Sequence, residues 1–247
     1  MTTRTAVITG AGSGIGAAIA VRLASEGAAV ALLARRQDRL QKLAAQIVES
    51  GGTALAVPAD VTDEHSMARA AATVREQLGP VDLLVNNAGL MQLAPFGAYP
   101  VPEWRQLVDV NVNGVLNAVH AFLPDLLRSA ETRTTDLVNV SSVAADRFMD
   151  GMATYGATKS AVSYFTRALR FELATRGIRI TNLEPGMTGG TELMEPFPAE
   201  LQGPAAELAA ALPAISAEEV AEVLAFVVSR PRNVNLTRVV VQPAKEV

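Results

Sequence analysis

The sequence predicts an α/β protein, a single doubly wound domain over residues 1–247 built on a parallel seven-stranded sheet. Three observations predict it. Short, almost continuously apolar runs alternate with long amphipathic runs, the pattern of strands buried on both faces between covering helices. The long runs carry helix start and stop signals at their edges. The first apolar run leads directly into a glycine cluster that opens the first amphipathic run. The 247 residues, 49% apolar and 19% charged, suit a globular chain with a sizeable core.

In order, "TAVIT" (5–9) is a buried strand and "GIGAAIAVRLASEG" (14–27) a helix closed by glycine. "AVALLA" (29–34) is the second strand, and "QDRLQKLAAQIVESGG" a helix with a glycine stop. "ALAVPAD" is the third strand. "DEHSMARAAATVREQLG" starts with acids, which favour a helix N-terminus, and ends on Gly79. "VDLLVNN" is the fourth strand, followed by one long helical stretch from about 102 to 128. "TDLVNVSS" is the fifth strand, about 152–176 a helix, and "IRITNLEP" the sixth strand. "SAEEVAEVLAFVVSR" is a late helix and "TRVVVQP" the last strand. The Pro/Ala-rich stretch 195–214 has weak periodicity and reads as a loop with short helices, not a domain boundary.

Composition excludes several classes. With no cysteine there is no disulfide framework, thiol nucleophile or thiolate metal site, which fits a reducing cytoplasm. His65 and His120 stand far apart without ligand-like neighbours, so no metal is expected. A net charge of −4 with no basic stripe argues against nucleic acid. No apolar run reaches the ~18 residues of a membrane span, and "MTTRTAVITG" lacks the apolar core of a signal peptide. The expectation is a soluble, cytoplasmic protein with no membrane partner.

"TGAGSGIG" (9–16) sits at strand–turn–helix, with Gly10, Gly14 and Gly16. Glycines let the backbone turn tightly and approach a ligand, and the helix N-terminus offers free N–H groups to a pyrophosphate. Ala17 and Ala18 follow Gly16 where a nucleoside-triphosphate loop needs Lys-Ser/Thr, which excludes that competitor. The second strand ends at Ala34, Arg35 and Arg36, with Arg39 one turn on. An acid near this point reads an unphosphorylated ribose, whereas guanidinium forks match a phosphate. Cations are also disfavoured in the first turn of a helix, so two arginines there call for a reason of their own.

In "TYGATK" (154–159), Tyr155 and Lys159 stand at i and i+4 on one helix face, in a chain with three of each residue. A nearby ammonium favours the phenolate and lowers an ordinary phenol pKa of ≈ 10, turning tyrosine into an acid–base catalyst.

"NNAG" (86–89), "NVNG" (111–114), "VSS" (140–142) and "EPG" (184–186) complete the set. With the glycine cluster and the Tyr/Lys pair, they make essentially the whole chain resemble the classical short-chain dehydrogenases/reductases, whose fold is of the Rossmann type. The resemblance implies catalytic roles for Asn111, Ser142, Tyr155 and Lys159, with Ser142 preferred to Ser141 by its separation from the tyrosine. Tyr155 would exchange a proton with the substrate oxygen and Ser142 would hydrogen-bond that oxygen. Lys159 would hold the nicotinamide ribose, and Asn111 a water linking Lys159 to solvent. The implied cofactor is NADP(H), held by Gly10, Ser13, Gly14, Ile15, Gly16, Arg35, Arg36, Asp60, Val61, Asn87, Ala88, Gly89, Tyr155, Lys159, Pro185, Gly186 and Thr188. The extra glycine in "PGMTGGTEL" leaves open whether Thr188 or Thr191 meets the carboxamide. The "ELM" after "EPG" and the "VVVQPAKEV" ending look most like a branch that includes clavulanic acid dehydrogenase. Ser13 departs from the family's common basic residue, and the "DGG" ending is absent.

The expected activity interconverts a carbonyl and an alcohol on a small molecule. The alternatives are a non-catalytic dinucleotide-binding regulator or scaffold, and an epimerase or dehydratase of the extended relatives. The substrate loops would be 90–97, 143–152 and 187–215, the last a lid hinged at Gly186, Gly189 and Gly190. Met91, Ser142, Phe148, Met149, Met187 and Met194 would line an adaptable apolar pocket, joined by Leu93, Leu193 and Phe197. The stripe Val162, Phe165, Leu169, Leu173 and the set Trp104, Leu107, Val108, Val115, Val119 exceed what one sheet face is expected to absorb. A homodimer or homotetramer built on these two helices follows.

Overall fold

Every residue of β1 (Thr5–Thr9) is buried, and this strand lies in the interior of the sheet. The computed structural model describes residues 4–92, 95–98, 101–194 and 213–245. In chain order the further elements are α1 (Gly14–Ser25), β2 (Ala29–Ala34), α2 (Gln37–Glu49), β3 (Thr53–Pro58), α3 (Glu64–Leu78) and β4 (Leu83–Asn86). They continue with α4 (Val101–Val108), a π turn (Asp109–Asn113), α5 (Gly114–Ala130), β5 (Thr135–Val140) and α6 (Ala153–Leu173). β6 (Ile178–Pro185), α7 (Ala217–Val228) and β7 (Arg238–Val241) complete the chain. The sheet has seven strands in the order β3-β2-β1-β4-β5-β6-β7, and every pairing is parallel. This is a single Rossmann-type α/β domain, and the strand order reverses between β1 and β4, the switch point where such sheets bind ligands.

Alternate strand residues face two cores. Val7, Leu33, Leu84, Leu137 and Ile180 pack under α3, α5 and α6. Ile8, Leu32, Val85, Val138 and Leu183 pack under α1, α2 and α7. At the N-terminal ends of the strands, away from the glycine turn, buried Asp136 is held bidentately by Arg179 and again by Arg4. These charges clamp β1, β5 and β6 together.

The stretch from 102 to 128 is helical throughout, as the sequence predicts, with a π turn inside it where Gly114 N–H donates to Asp109 O. A Cβ on Gly114 would stand 2.7 Å from Val61 Cγ2, so the missing side chain lets the loop after β3 close on the turn. One expectation needs correction: most of the two apolar sets is absorbed within one chain, with Trp104 and Val108 left half-buried. Val115, Val119, Val162, Leu169 and Leu173 all lie in the core, Leu107 is fully buried, and Phe165 packs against the same cluster. The sheet face is wide enough to take both helices. Exposed instead are Leu116, Tyr164 and Phe171, at 40%, 69% and 86%. The 195–214 stretch falls almost wholly outside the described residues.

Candidate active site

The glycine turn between β1 and α1 is shaped first by its own chain. Gly10 has φ +67°, and a Cβ there would stand 2.8 Å from Ala88 Cα. A Cβ on Gly16 would overlap Asn87 Nδ2 and the Gly10 carbonyl oxygen. Asn87 Nδ2 donates to the Thr9 and Gly10 carbonyls, while the amides of Asn87 and Ala88 donate to Thr9 Oγ1. Gly10 and Gly16 thus make room for "NNAG" to be bolted onto the turn. Gly16→Ala is expected to cost about 1–3 kcal/mol of stability, the usual price of overpacking, and to loosen dinucleotide binding. A urea midpoint and a nucleotide titration check both effects.

Ser13 precedes α1 in extended conformation, and its side chain does not cap the helix. The first-turn N–H groups are therefore left for an anion. Arg36 and Arg39 face this turn from the start of α2, and both bind the carboxylate of Glu192. An Arg36 amino group also reaches Ser13 Oγ at 3.5 Å. Arg35 is exposed and lines a surface hollow with Thr62, Arg105 and Asp109. Asp60 is tied into a turn, its Oδ1 accepting from Thr62 N and Oγ1. Val61 O accepts from Asn117 Nδ2. Open helix N–H groups beside paired guanidinium groups that already grip an acid fit an anionic ligand group.

Tyr155, Lys159 and Asn111 meet at the C-terminal ends of β4 and β5, all buried. Ser142 stands beside the Tyr155 hydroxyl, where its side chain favours the ionised phenol. Ser142 Oγ accepts from Ala144 N at 3.1 Å and faces Pro185 O at 3.5 Å. Ser141 turns the other way, to Lys159 O at 2.9 Å and Ser163 Oγ at 2.8 Å, so it braces α6. Lys159 Nζ donates to Val140 O at 3.1 Å and lies 5.8 Å from the Tyr155 ring centroid. Gly89 keeps the approach to this group open: a Cβ there would stand 3.5 Å from Lys159 Nζ and 3.4 Å from Asn111 Oδ1.

Asn111 sits in the π turn, a distortion that recurs at functional sites. Its Oδ1 accepts from Leu90 N at 2.8 Å, and its Nδ2 donates to Leu90 O at 2.9 Å and Thr158 Oγ1 at 3.0 Å. The amide therefore pins the chain that follows "NNAG" to α6. Thr158 has no counterpart among the sequence candidates. Its signal was its place beside Lys159, but its partner lies 47 residues away.

The electrostatics correct one expectation. Burial pushes the Tyr155 phenol up to about 12, partly opposed by the Ser142 side chain. Burial also draws the Lys159 ammonium down to about 8. An ammonium was expected to lower the phenol, but both groups have lost water, and desolvation favours the neutral form of each.

Beside Tyr155 lies a small apolar cluster with Met91 and Ala144, against which Met152 and Leu193 pack. Phe148 does not line it: its side chain is 100% exposed, and Met149 is 55% exposed. The turn Val143–Ala145 packs Ala144 inward and Arg147 bonds Gln242, which leaves 148 and 149 on the outside of the loop. Met187 pairs through its backbone with Ile215. Leu93, Phe197 and the Met194 side chain lie outside the described residues. Thr188 Oγ1 donates to Gly186 O, and Thr191 Oγ1 to Thr188 O. Glu192 was missed as a site residue, because nothing local marks an acid whose arginine partners are more than 150 positions away.

A family model described as short chain dehydrogenase matches residues 4–202. The chain belongs to the short chain dehydrogenase family. An uncharacterized oxidoreductase of Staphylococcus aureus (strain N315) is 33% identical over 245 residues, covering 98% of both chains. A closed form of serine dehydrogenase complexed with NADP+ superposes with a TM-score of 0.89 at 29% identity, covering 98% of this chain and 96% of that one. An alcohol dehydrogenase from the archaeon Thermococcus sibiricus, complexed with 5-hydroxy-NADP, gives 0.87 at 28% identity over 99% and 98%. This short chain dehydrogenase is thus an oxidoreductase of CH–OH/C=O chemistry in a family that uses NAD(P). Among its described residues, no group of three or more His, Asp or Glu is placed to hold a metal ion. No helix there is long and apolar enough to cross a membrane.

Proposed function

We propose that the protein is an NADP(H)-dependent oxidoreductase that interconverts a carbonyl and an alcohol, with Tyr155 as general acid/base. The observation that carries this reading is the pair of buried side chains Tyr155 and Lys159, with half-buried Ser142 beside the phenol and an apolar cluster next to it at the strand ends. The dinucleotide supplies or accepts the hydride. Tyr155, protonated at neutral pH, is ready to give its proton to a carbonyl oxygen. Ser142 holds the same oxygen by a hydrogen bond and stabilises its developing charge. Lys159 fixes the ribose side and Asn111 fixes the loop over it. Gly10, Gly14 and Gly16 seat the pyrophosphate at α1.

The cofactor preference rests on the arginines, supported by the NADP complexes among the similar structures. Replacing Arg35 and Arg36 with neutral residues should weaken NADPH at least tenfold more than NADH, because charge-assisted hydrogen bonds contribute about 1.5–3 kcal/mol. Equal weakening in a fluorescence titration removes these arginines from phosphate reading. Within the family, the "ELM" and "VVVQPAKEV" segments support the branch that includes clavulanic acid dehydrogenase. The cysteine-free chain suits the cytoplasm. The assembly, a homodimer or homotetramer, would use Leu116, Tyr164 and Phe171 rather than the buried stripes.

Met91, Met152 and Leu193 favour medium-sized apolar carbonyls. An NADPH-oxidation screen over aldehydes, ketones, β-keto esters and quinones tests the whole reading, and any turnover dismisses the non-catalytic alternative. Within the screen, kcat/KM for an aromatic or medium-chain ketone should exceed that for a small 2-oxo acid. The reverse order rejects the apolar pocket.

A further inference from the structure

Glu192 is an acid placed where an anionic ligand group is expected. It follows β6 in the short helical turn Glu192–Met194, yet its carboxylate binds Arg36 and Arg39 at the start of α2. The same Arg36 reaches Ser13 of the glycine turn. Thr191, the preceding residue, lies against that turn: a Cβ on Gly14 would stand 3.3 Å from Thr191 Cγ2. Leu193, the following residue, packs on the cluster of Tyr155 and Met91. The segment therefore crosses from the substrate side to the front of the dinucleotide seat. Its base is fixed, because Thr188 bridges Ile215, with Gly189 N donating to Ile215 O at 2.8 Å and Ile215 N to Met187 O at 3.0 Å.

A carboxylate presents to two guanidinium groups the charge and the paired oxygens that a phosphate monoester presents. Both cannot hold the same donors at once. We propose that Glu192 is a built-in competitor for the ribose 2′-phosphate, holding Arg36 and Arg39 until that phosphate takes them, so that this one residue limits how strongly the protein prefers NADP(H) to NAD(H). The inference rests on the dinucleotide reading of the glycine turn. A 2′-hydroxyl makes no claim on the arginines and leaves the Glu192 contact intact. A 2′-phosphate must break it, and spends part of its binding energy doing so. Removing the acid therefore strengthens binding only of ligands that carry the phosphate.

The test is direct binding by calorimetry of 2′,5′-ADP and 5′-ADP to wild type and Glu192→Gln, with NADPH and NADH as the full-length pair. Glutamine keeps the size of the side chain and removes its charge, at a position exposed enough to tolerate the change. Glu192→Gln should bind 2′,5′-ADP and NADPH at least tenfold more tightly than wild type, with 5′-ADP and NADH within twofold. Unchanged affinity for 2′,5′-ADP, or equal tightening of both members of each pair, overturns the competition while the dinucleotide reading stands. Failure of all four ligands to bind either protein overturns the dinucleotide reading and the competition with it.

Discussion

Tyr155→Phe is expected to lower turnover by at least the ~10²-fold that general acid–base catalysis contributes, while dinucleotide affinity stays at the wild-type level. Phenylalanine keeps the ring that packs on Met91 and Ala144 and removes only the hydroxyl that stands beside Ser142. Ser142 retains Ala144 N as a partner, so the loop after β5 keeps its shape. The substitution thus separates chemistry from folding and from binding. Steady-state turnover beside a fluorescence titration of NADPH reads the two effects. Near wild-type turnover would remove Tyr155 from the proton transfer, whereas loss of cofactor affinity along with turnover would assign it a binding role.

Lys159→Met is expected to abolish turnover and yet stabilise the protein in the absence of nucleotide. Lys159 is 5% exposed, and burial holds its ammonium at about 8 against an ordinary value near 10.5. The folded state binds this proton less tightly than the unfolded chain. Folding therefore carries the cost in full below about pH 8 and recovers it as pH rises towards 10.5. The difference corresponds to about 3 kcal/mol at neutral pH. Methionine fills similar space without a charge, although Val140 O loses its donor, which returns about 1 kcal/mol. Tyr155 acts with the opposite sign. Its phenol, raised to about 12, contributes stability that is present up to about pH 10 and is lost as pH rises from there through 12. Melting temperatures without nucleotide should climb between pH 7 and 9.5 in the wild type but stay flat in Lys159→Met. The variant should be the more stable of the two at pH 7. Parallel profiles, with the variant no more stable, would show that Lys159 keeps its ordinary proton affinity in the fold.

The strands and helices were legible because their signals are local. Val7 and Ile8 both had to be apolar, since successive residues of a central strand face opposite cores. The Tyr155/Lys159 pair was legible because a four-residue spacing on a helix already places both side chains on one face. The glycine turn was legible because its positive φ angles, +67° at Gly10 and +52° at Gly14, are unstrained only for glycine.

What the sequence by itself determined is therefore the order of elements, the doubly wound class, and the placing of "TGAGSGIG", "NNAG", Ser142 and Tyr155 at one end of the sheet. What only the tertiary structure decided depends on distance across the fold and on the loss of water. It decided that Val115 and Val162 go inward and leave Leu116 and Tyr164 outside, since the width of a sheet face is a property of packed strands. It turned Ser141 to Lys159 O and Ser142 to Tyr155. It raised the phenol and lowered the ammonium, because burial penalises a charge in a way that spacing along a helix does not reveal. It also brought Glu192 onto Arg36 and Arg39, a contact made when the loop after β6 folds across the start of α2.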